Sequence, residues 1–200
     1  ARSLGHLDQG LRLLGRDPWK SNFEWTKKLS VARCRLMNCC GLHEDAERAA
    51  NTVISRTHSF TDQRIAYDTK IRSLEERGEP KTALNVCLTL LTDMGIPMPR
   101  RATKKDVARS LDKVKKVLRG WQEEALLDIS ATTDDIQKDA AYFLGRLGSL
   151  ADKAEAPEFD TLSTLRIVQI TLERGRVPST ALAFVSLGCL FVELGDFSNA

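Results

Sequence analysis

Between Arg100 and Arg119 the chain carries nine lysines and arginines against two acidic residues, Asp106 and Asp112, a local net charge of +7. Cations at that density attract phosphate and carboxylate groups over about a Debye length, ~10 Å at 0.1 M salt. The residues that would carry such binding are Arg100, Arg101, Lys104, Lys105, Arg109, Lys113 and Lys116. Nucleic acid, an anionic lipid surface or an acidic protein would be the ligand. The next stretch, 120–139, has Glu123, Glu124, Asp128, Asp134, Asp135 and Asp139 against Lys138, a net of −5. The leading expectation is therefore a solvated or self-paired face, neutralised by an adjoining acidic helix. The basic stretch contains no aromatic residue, so single-stranded nucleic acid lacks its stacking platform.

Other chemistry finds less to work with. Cys34, Cys39, Cys40 and His43 fall within ten residues, but C-x4-C-C-x2-H lacks the paired short spacing of structural zinc sites, and core packing is the favoured role. His6, His43 and His58 are the bases available near neutral pH, and none lies in a recognised Ser or Cys nucleophile motif. A G-x-x-x-x-G-K-[ST] stretch, whose backbone N–H groups and lysine cradle ATP phosphates, is missing. The residues predict no enzyme, no metal and no cofactor.

The elements that would position these side chains read as helices. Apolar residues recur at helical spacing at Leu4, Leu7, Leu11 and Leu14; at Trp25, Leu29, Ala32, Leu36 and Cys39; at Tyr67, Ile71 and Leu74; and at Ala83, Cys87, Leu90 and Met94. In the basic stretch the stripe is Val107, Leu111, Val114 and Leu118, which leaves the cations mostly outward. No segment alternates with period two, so no sheet is expected. Helices are placed near 3–14, 20–40, 44–57, 62–77, 80–94, 103–119, 134–153, 159–174 and 178–194, with Thr103 and Thr133 as N-caps and Pro80 and Pro178 in first turns. Pro97 and Pro99 force an extended connector at 95–102. Trp25, on its stripe, is expected in the core.

A hexad of Gly, four residues and Ala recurs at 41–46, 78–83 and 195–200. Glycine permits the left-handed helix end, and a small Ala early in the next helix lets the pair approach closely. Ala46, Ala83 and, after Gly175, Ala181 are expected in such joints. Gly41 and Gly78 are 37 residues apart, near the ~34-residue period of tetratricopeptide repeats. The fold expected is all-α, a right-handed solenoid of antiparallel helix pairs.

Three stretches carry a family resemblance: "GEPKTALNVCLTLLTDMGIPMPRRATKKDVARSLDKVKKVLRG", the acidic "TTDDIQKDAAYFLGRL", and "ERGRVPSTALAFVSLGCLFVELGDFSNA". Their order resembles the tetratricopeptide-like helical region of large multidomain signalling kinases, in which protein kinase and P-loop ATPase domains precede the repeats and sensor or histidine-kinase domains can follow. The likeness covers residues 35–200, through the connector at 95–99, the Thr133–Asp135 step, the Gly175 to Ala181 turn and the final Gly-Asp-Phe. What it implies is a protein-interaction and signal-relay segment with no active site of its own, whose partner is a protein or peptide, or neighbouring domains of the same chain.

The 42% hydrophobic and 28% charged composition suits one helical-repeat domain over 1–200. Ala1 stands in place of an initiator Met and no signal-peptide pattern follows, so a piece of a longer, cytoplasmic chain is expected, as the five scattered cysteines also suggest. The longest apolar run, Ala181 to Val192, is 12 residues, against about 20 for a membrane span. It reads as a buried helix. The stretch "LGDFSNA" reads as a hairpin joint cut short, which would leave Phe184, Leu187, Phe191 and Leu194 partly uncovered.

Overall fold

In a computed structural model, which describes residues 2–196, the helical periodicity becomes eleven helices and no sheet. They are α1 (Arg2–Leu13), α2 (Pro18–Ser21), α3 (Phe23–Cys39), α4 (His43–Arg56), α5 (Phe60–Glu76), α6 (Pro80–Asp93), α7 (Lys104–Leu118), α8 (Glu123–Leu127), α9 (Asp135–Ala151), α10 (Glu158–Arg174) and α11 (Thr180–Glu193). Nine correspond to the expected helices. The short α2 and α8 were not expected, because four or five residues are too few to show a period. A single parallel bridge joins Ala131 to Arg176. No described helix is long and apolar enough to cross a membrane. The chain divides into two compact units, Ala1–Ala83 and Leu84–Ala200, and the division falls within α6.

One turn geometry recurs at helix ends. The Gly41 N–H donates to the Asn38 carbonyl and the Leu42 N–H to the Met37 carbonyl, each at 3.0 Å, with Gly41 left-handed at φ 76°. Gly78 repeats both bonds, to Glu75 and Leu74. These paired bonds cap the orphan carbonyls of the outgoing helix. Leu42 and Glu79 then accept the first bonds of the next helix from the N–H groups of Ala46 and Ala83. Both alanines are fully buried, which is what the hexad requires at 41–46 and 78–83. Gly195 makes the same turn, while Ala200 lies outside the described residues. Glu155 takes this conformation too, at φ 59°, without glycine's freedom.

In the first unit α3 packs against α1, α2, α4 and α5, and α4 against α5. Cys34, Ala50, Val53 and Ala66 form a buried core flanked by Trp19, Val31, Ala49 and Ile54. Polar side chains then fix the three central helices. The Asn38 side-chain oxygen on α3 accepts from Ser73 Oγ on α5 at 3.0 Å and pairs with His43 Nδ1 on α4 at 2.7 Å. Lys27 bridges to Asp62 at 2.7 Å across α3 and α5, and that bond is the main reason its ammonium pKa is raised.

The expected stripe of α3 is inward only in part, with Leu29 and Leu36 half-buried. Trp25 is 62% exposed under the ammonium of Lys28, and Ala32 and Cys39 are exposed as well. The inward positions are Thr26, Cys34 and Met37. Thr26 is drawn inside because its hydroxyl reaches the carbonyl oxygens of Pro18 at 2.9 Å and Asn22 at 2.8 Å, so a buried polar residue takes the place the tryptophan was given.

In the second unit α10 is the central element, packed by α7, α9 and α11. Ten of its seventeen residues are buried, as a helix surrounded on several sides must be. Gly148 on α9 lies so close to α10 that a β-carbon there would stand 2.9 Å from Asp160 Oδ1. The cap of α9 is Asp134, whose Oδ1 accepts from the N–H groups of Ile136 and Gln137. Thr133 is not the cap. The carboxylate of Asp134 serves the N-terminus instead, and Thr132 Oγ1 braces it by accepting from the Asp134 N–H.

α11 also departs from expectation at its start. It begins at Thr180, because Pro178 belongs to a turn closed by Thr180 Oγ1 accepting from the Val177 N–H at 2.9 Å. Its inward residues are Ala183, Leu187 and Phe191, and Ala181 is exposed. Gly175 to Ala181 is one residue longer than the hexad, and that residue turns the alanine away from the joint.

Candidate functional site

α7 is built to hold its cations outward. Leu111 and Val114 are buried and Val107 and Leu118 half-buried, so the expected stripe packs toward α10. A reciprocal capping box fixes the first turn: Thr103 Oγ1 accepts from the Asp106 N–H, and Asp106 Oδ2 accepts from the Thr103 N–H at 3.1 Å. The Thr103 hydroxyl also donates to Asp106 Oδ2 at 2.6 Å, and this bond chiefly holds the carboxyl below its usual range.

Arg100, Arg101, Lys104, Lys105, Arg109, Lys113 and Lys116 are all exposed. Arg109 lies 3.5 Å from Asp106 on its own helix, and Lys115 pairs with Asp196. Among the described residues, none of these seven cations forms an ion pair with the acidic stretch after Gly120. Lys138, the basic residue of that stretch, is paired within its own turn to Asp135.

Of the seven, Arg109 and Lys113 are brought together in a pocket. One turn apart on α7, they line a space of about 350 Å³ with Ser110 and Asp106, facing Leu162, Arg166 and Gln169 of α10 and the connector Pro97–Met98–Pro99. The prolines thus form a wall. Arg166 was missed in the sequence, although a cation inside the apolar run of α10 was a usable signal. Its Nη1 donates to Gln169 Oε1 at 2.9 Å, while its Nε is buried and has no hydrogen-bond partner.

A second pocket, of about 680 Å³, is mostly apolar. Leu126 and Leu127 from α8, Val177 and Pro178 from the turn, and Ala181 and Phe184 from α11 line it, with Lys138 and Arg176 as its charged members. Its floor is fixed by the bridge: the Arg176 N–H donates to Ser130 O at 2.8 Å and Arg176 O accepts from the Thr132 N–H at 2.9 Å. The Arg176 side chain is exposed and has no ion-pair partner among the described residues. From Ala181 the helix continues with Val185, Cys189 and Val192 on one exposed face, and Leu182 beside it. Of the four side chains expected to be partly uncovered, Leu187 and Phe191 are buried, Phe184 is half-buried and Leu194 is exposed. The open face is a neighbouring one.

The cysteines and histidines are dispersed. Cys34 is buried against Thr69 with its thiol pKa pushed up by desolvation, Cys39 and Cys40 are exposed, and His43 is engaged by Asn38. His6 and His58 are both exposed. Among the described residues no three His, Cys, Asp or Glu side chains gather as metal ligands. Compared with protein-family models, curated proteins and solved structures, the chain matches none.

Proposed function

We propose that the chain is a non-catalytic protein-interaction module of a signalling protein, built from tetratricopeptide-like antiparallel helix pairs in a right-handed array. The shared turn geometry at Gly41 and Gly78 and the buried Ala46 and Ala83 support that arrangement. The observation that carries the function is the apolar pocket of about 680 Å³, continued along α11 by exposed Val185 and Val192. Exposed apolar surface in a groove marks a place where another molecule is bound. Its exposed cation without an ion pair among the described residues, Arg176, selects the occupant: an amphipathic protein segment with apolar anchors at helical spacing and an acidic residue beside them.

Peptide display against the 200-residue chain tests this reading. Selected peptides should combine two or three apolar anchors with Asp or Glu, and lose binding to Ala181→Trp, which fills the pocket, and to Arg176→Glu. Selection of basic peptides, or peptides indifferent to both variants, would sink it. A dimer that Val185→Glu converts to monomer in sedimentation would replace the acidic segment by a second copy.

A second reading, an anion-binding platform, has its own observation: Arg100, Arg101, Lys104, Lys105, Lys113 and Lys116 are exposed with no ion-pair partner among the described residues. Affinity for duplex DNA or anionic vesicles that falls steeply with salt supports it. Salt-insensitive or absent binding removes it.

A further inference from the structure

We infer that the pocket between α7, α10 and the 97–99 connector is a binding site for a phosphate monoester. The inference rests on the anion-platform reading and deepens it, because it assigns the ligand to the groove that Arg109 and Lys113, both exposed, line together with half-buried Arg166 rather than to the outward face as a whole. Arg109, Lys113 and Arg166 converge on one space of about 350 Å³ with Asp106 as its acidic member, so the lining carries a net charge of +2. A phosphate monoester carries −1.5 to −2 near neutral pH, which matches that charge where a monocarboxylate does not.

The donors are of the right kind. A guanidinium presents planar parallel N–H groups suited to two oxygens of one phosphoryl group, a lysine adds a compact charge, and Ser110 adds a hydroxyl. Gln169 holds Arg166 by Nη1, so part of the ordering cost precedes the ligand. The Nε of Arg166 is buried and has no protein acceptor, which leaves a donor of this side chain unused within the fold. Asp106 does not block the site, since its carboxylate is held by Thr103 and by Arg109.

The sources of such a group are a lipid headgroup and a soluble or peptide-borne phosphate monoester. Titration of the 200-residue chain with inorganic phosphate at constant ionic strength, followed by amide chemical shifts, reads the site directly. Saturable shifts confined to 98, 106–113 and 162–169 are expected, weakened roughly 10-fold or more by Arg166→Lys, which keeps the charge and loses the fork, and by Lys113→Gln. Lys116→Gln, outside the pocket, should leave them within about twofold. Non-saturating shifts that chloride reproduces, or equal losses in all three variants, would overturn the site. A phosphate response that survives Lys104→Gln/Lys105→Gln/Lys116→Gln while vesicle and DNA binding disappear separates the pocket from the outward platform. Sedimentation with vesicles containing a phosphatidylinositol monophosphate, dependent on Arg166, assigns the source to a headgroup; phosphate saturation without it assigns a soluble or peptide-borne ester.

Discussion

A β-carbon on Gly175 would stand 2.8 Å from the carbonyl oxygen of Ser130, the same oxygen that accepts the N–H of Arg176. Glycine is therefore required at 175 for two independent reasons, the left-handed φ of 101° and the close approach of the chain at 130–132. Gly175→Ala should cost about 2–3 kcal/mol in urea unfolding. Gly41→Ala, with open space around its β-carbon, should cost only the conformational part, about 1–2 kcal/mol. Equal losses would show that the contact with Ser130 carries no energy.

The inward turn of α3 gives a paired test. Thr26→Val removes a hydroxyl bonded to carbonyl oxygens in a buried place and should destabilise by about 1–2 kcal/mol. Trp25→Ala deletes a far larger side chain and should cost under about 1 kcal/mol, mostly its contact with Lys28. The reverse order in thermal or urea denaturation would restore the tryptophan to the core.

Two alanines that look alike in the sequence should respond differently to enlargement. Ala46→Leu overpacks a fully buried joint and should lose about 1–3 kcal/mol. Ala181→Leu, on an exposed position of α11, should stay within about 0.5 kcal/mol of the parent chain.

The capping box of α7 predicts an acid limit. Because Thr103 lowers the Asp106 pKa, the ionised cap is fully present above the unfolded-state value of about 3.9 and is lost as pH falls through the lower folded value. The Asp106 carboxyl carbon should titrate below about 3.9, and the Thr103 amide should keep its exchange protection from pH 7 down to about 4. A midpoint at or above the unfolded value would show that the box is not formed in solution.

What was legible in the sequence is what has a period or a rigid local rule. Nine helices, the Gly41 and Gly78 turns with Ala46 and Ala83 behind them, and the Thr103 cap all follow from short-range geometry. The face of α3 was misread because the rule counts apolar residues, whereas Thr26 is drawn inside by carbonyl oxygens of the preceding turn. Ala181 was misplaced by a single extra residue after Gly175. Of the cationic pocket, the sequence offered Arg109 and Lys113 but not their partner on α10, since 57 positions separate Arg166 from Arg109 and only tertiary packing brings them together. The apolar pocket was illegible for the same reason, and its α8 wall is too short to show a pattern.

At the joint between α3 and α4 no residue is spare: Leu42 closes the outgoing turn and accepts the first bond of the incoming helix. One residue inserted there would advance α4 by about 100° and put Asp45, Ala49 and Thr52 where Ala46, Ala50 and Val53 now sit. The length of this turn is thus as strongly constrained as any core side chain. In the connector from Gly95 to Thr103, where α7 opens on its own capping box, the chain can change length without altering the phase of the helix that follows.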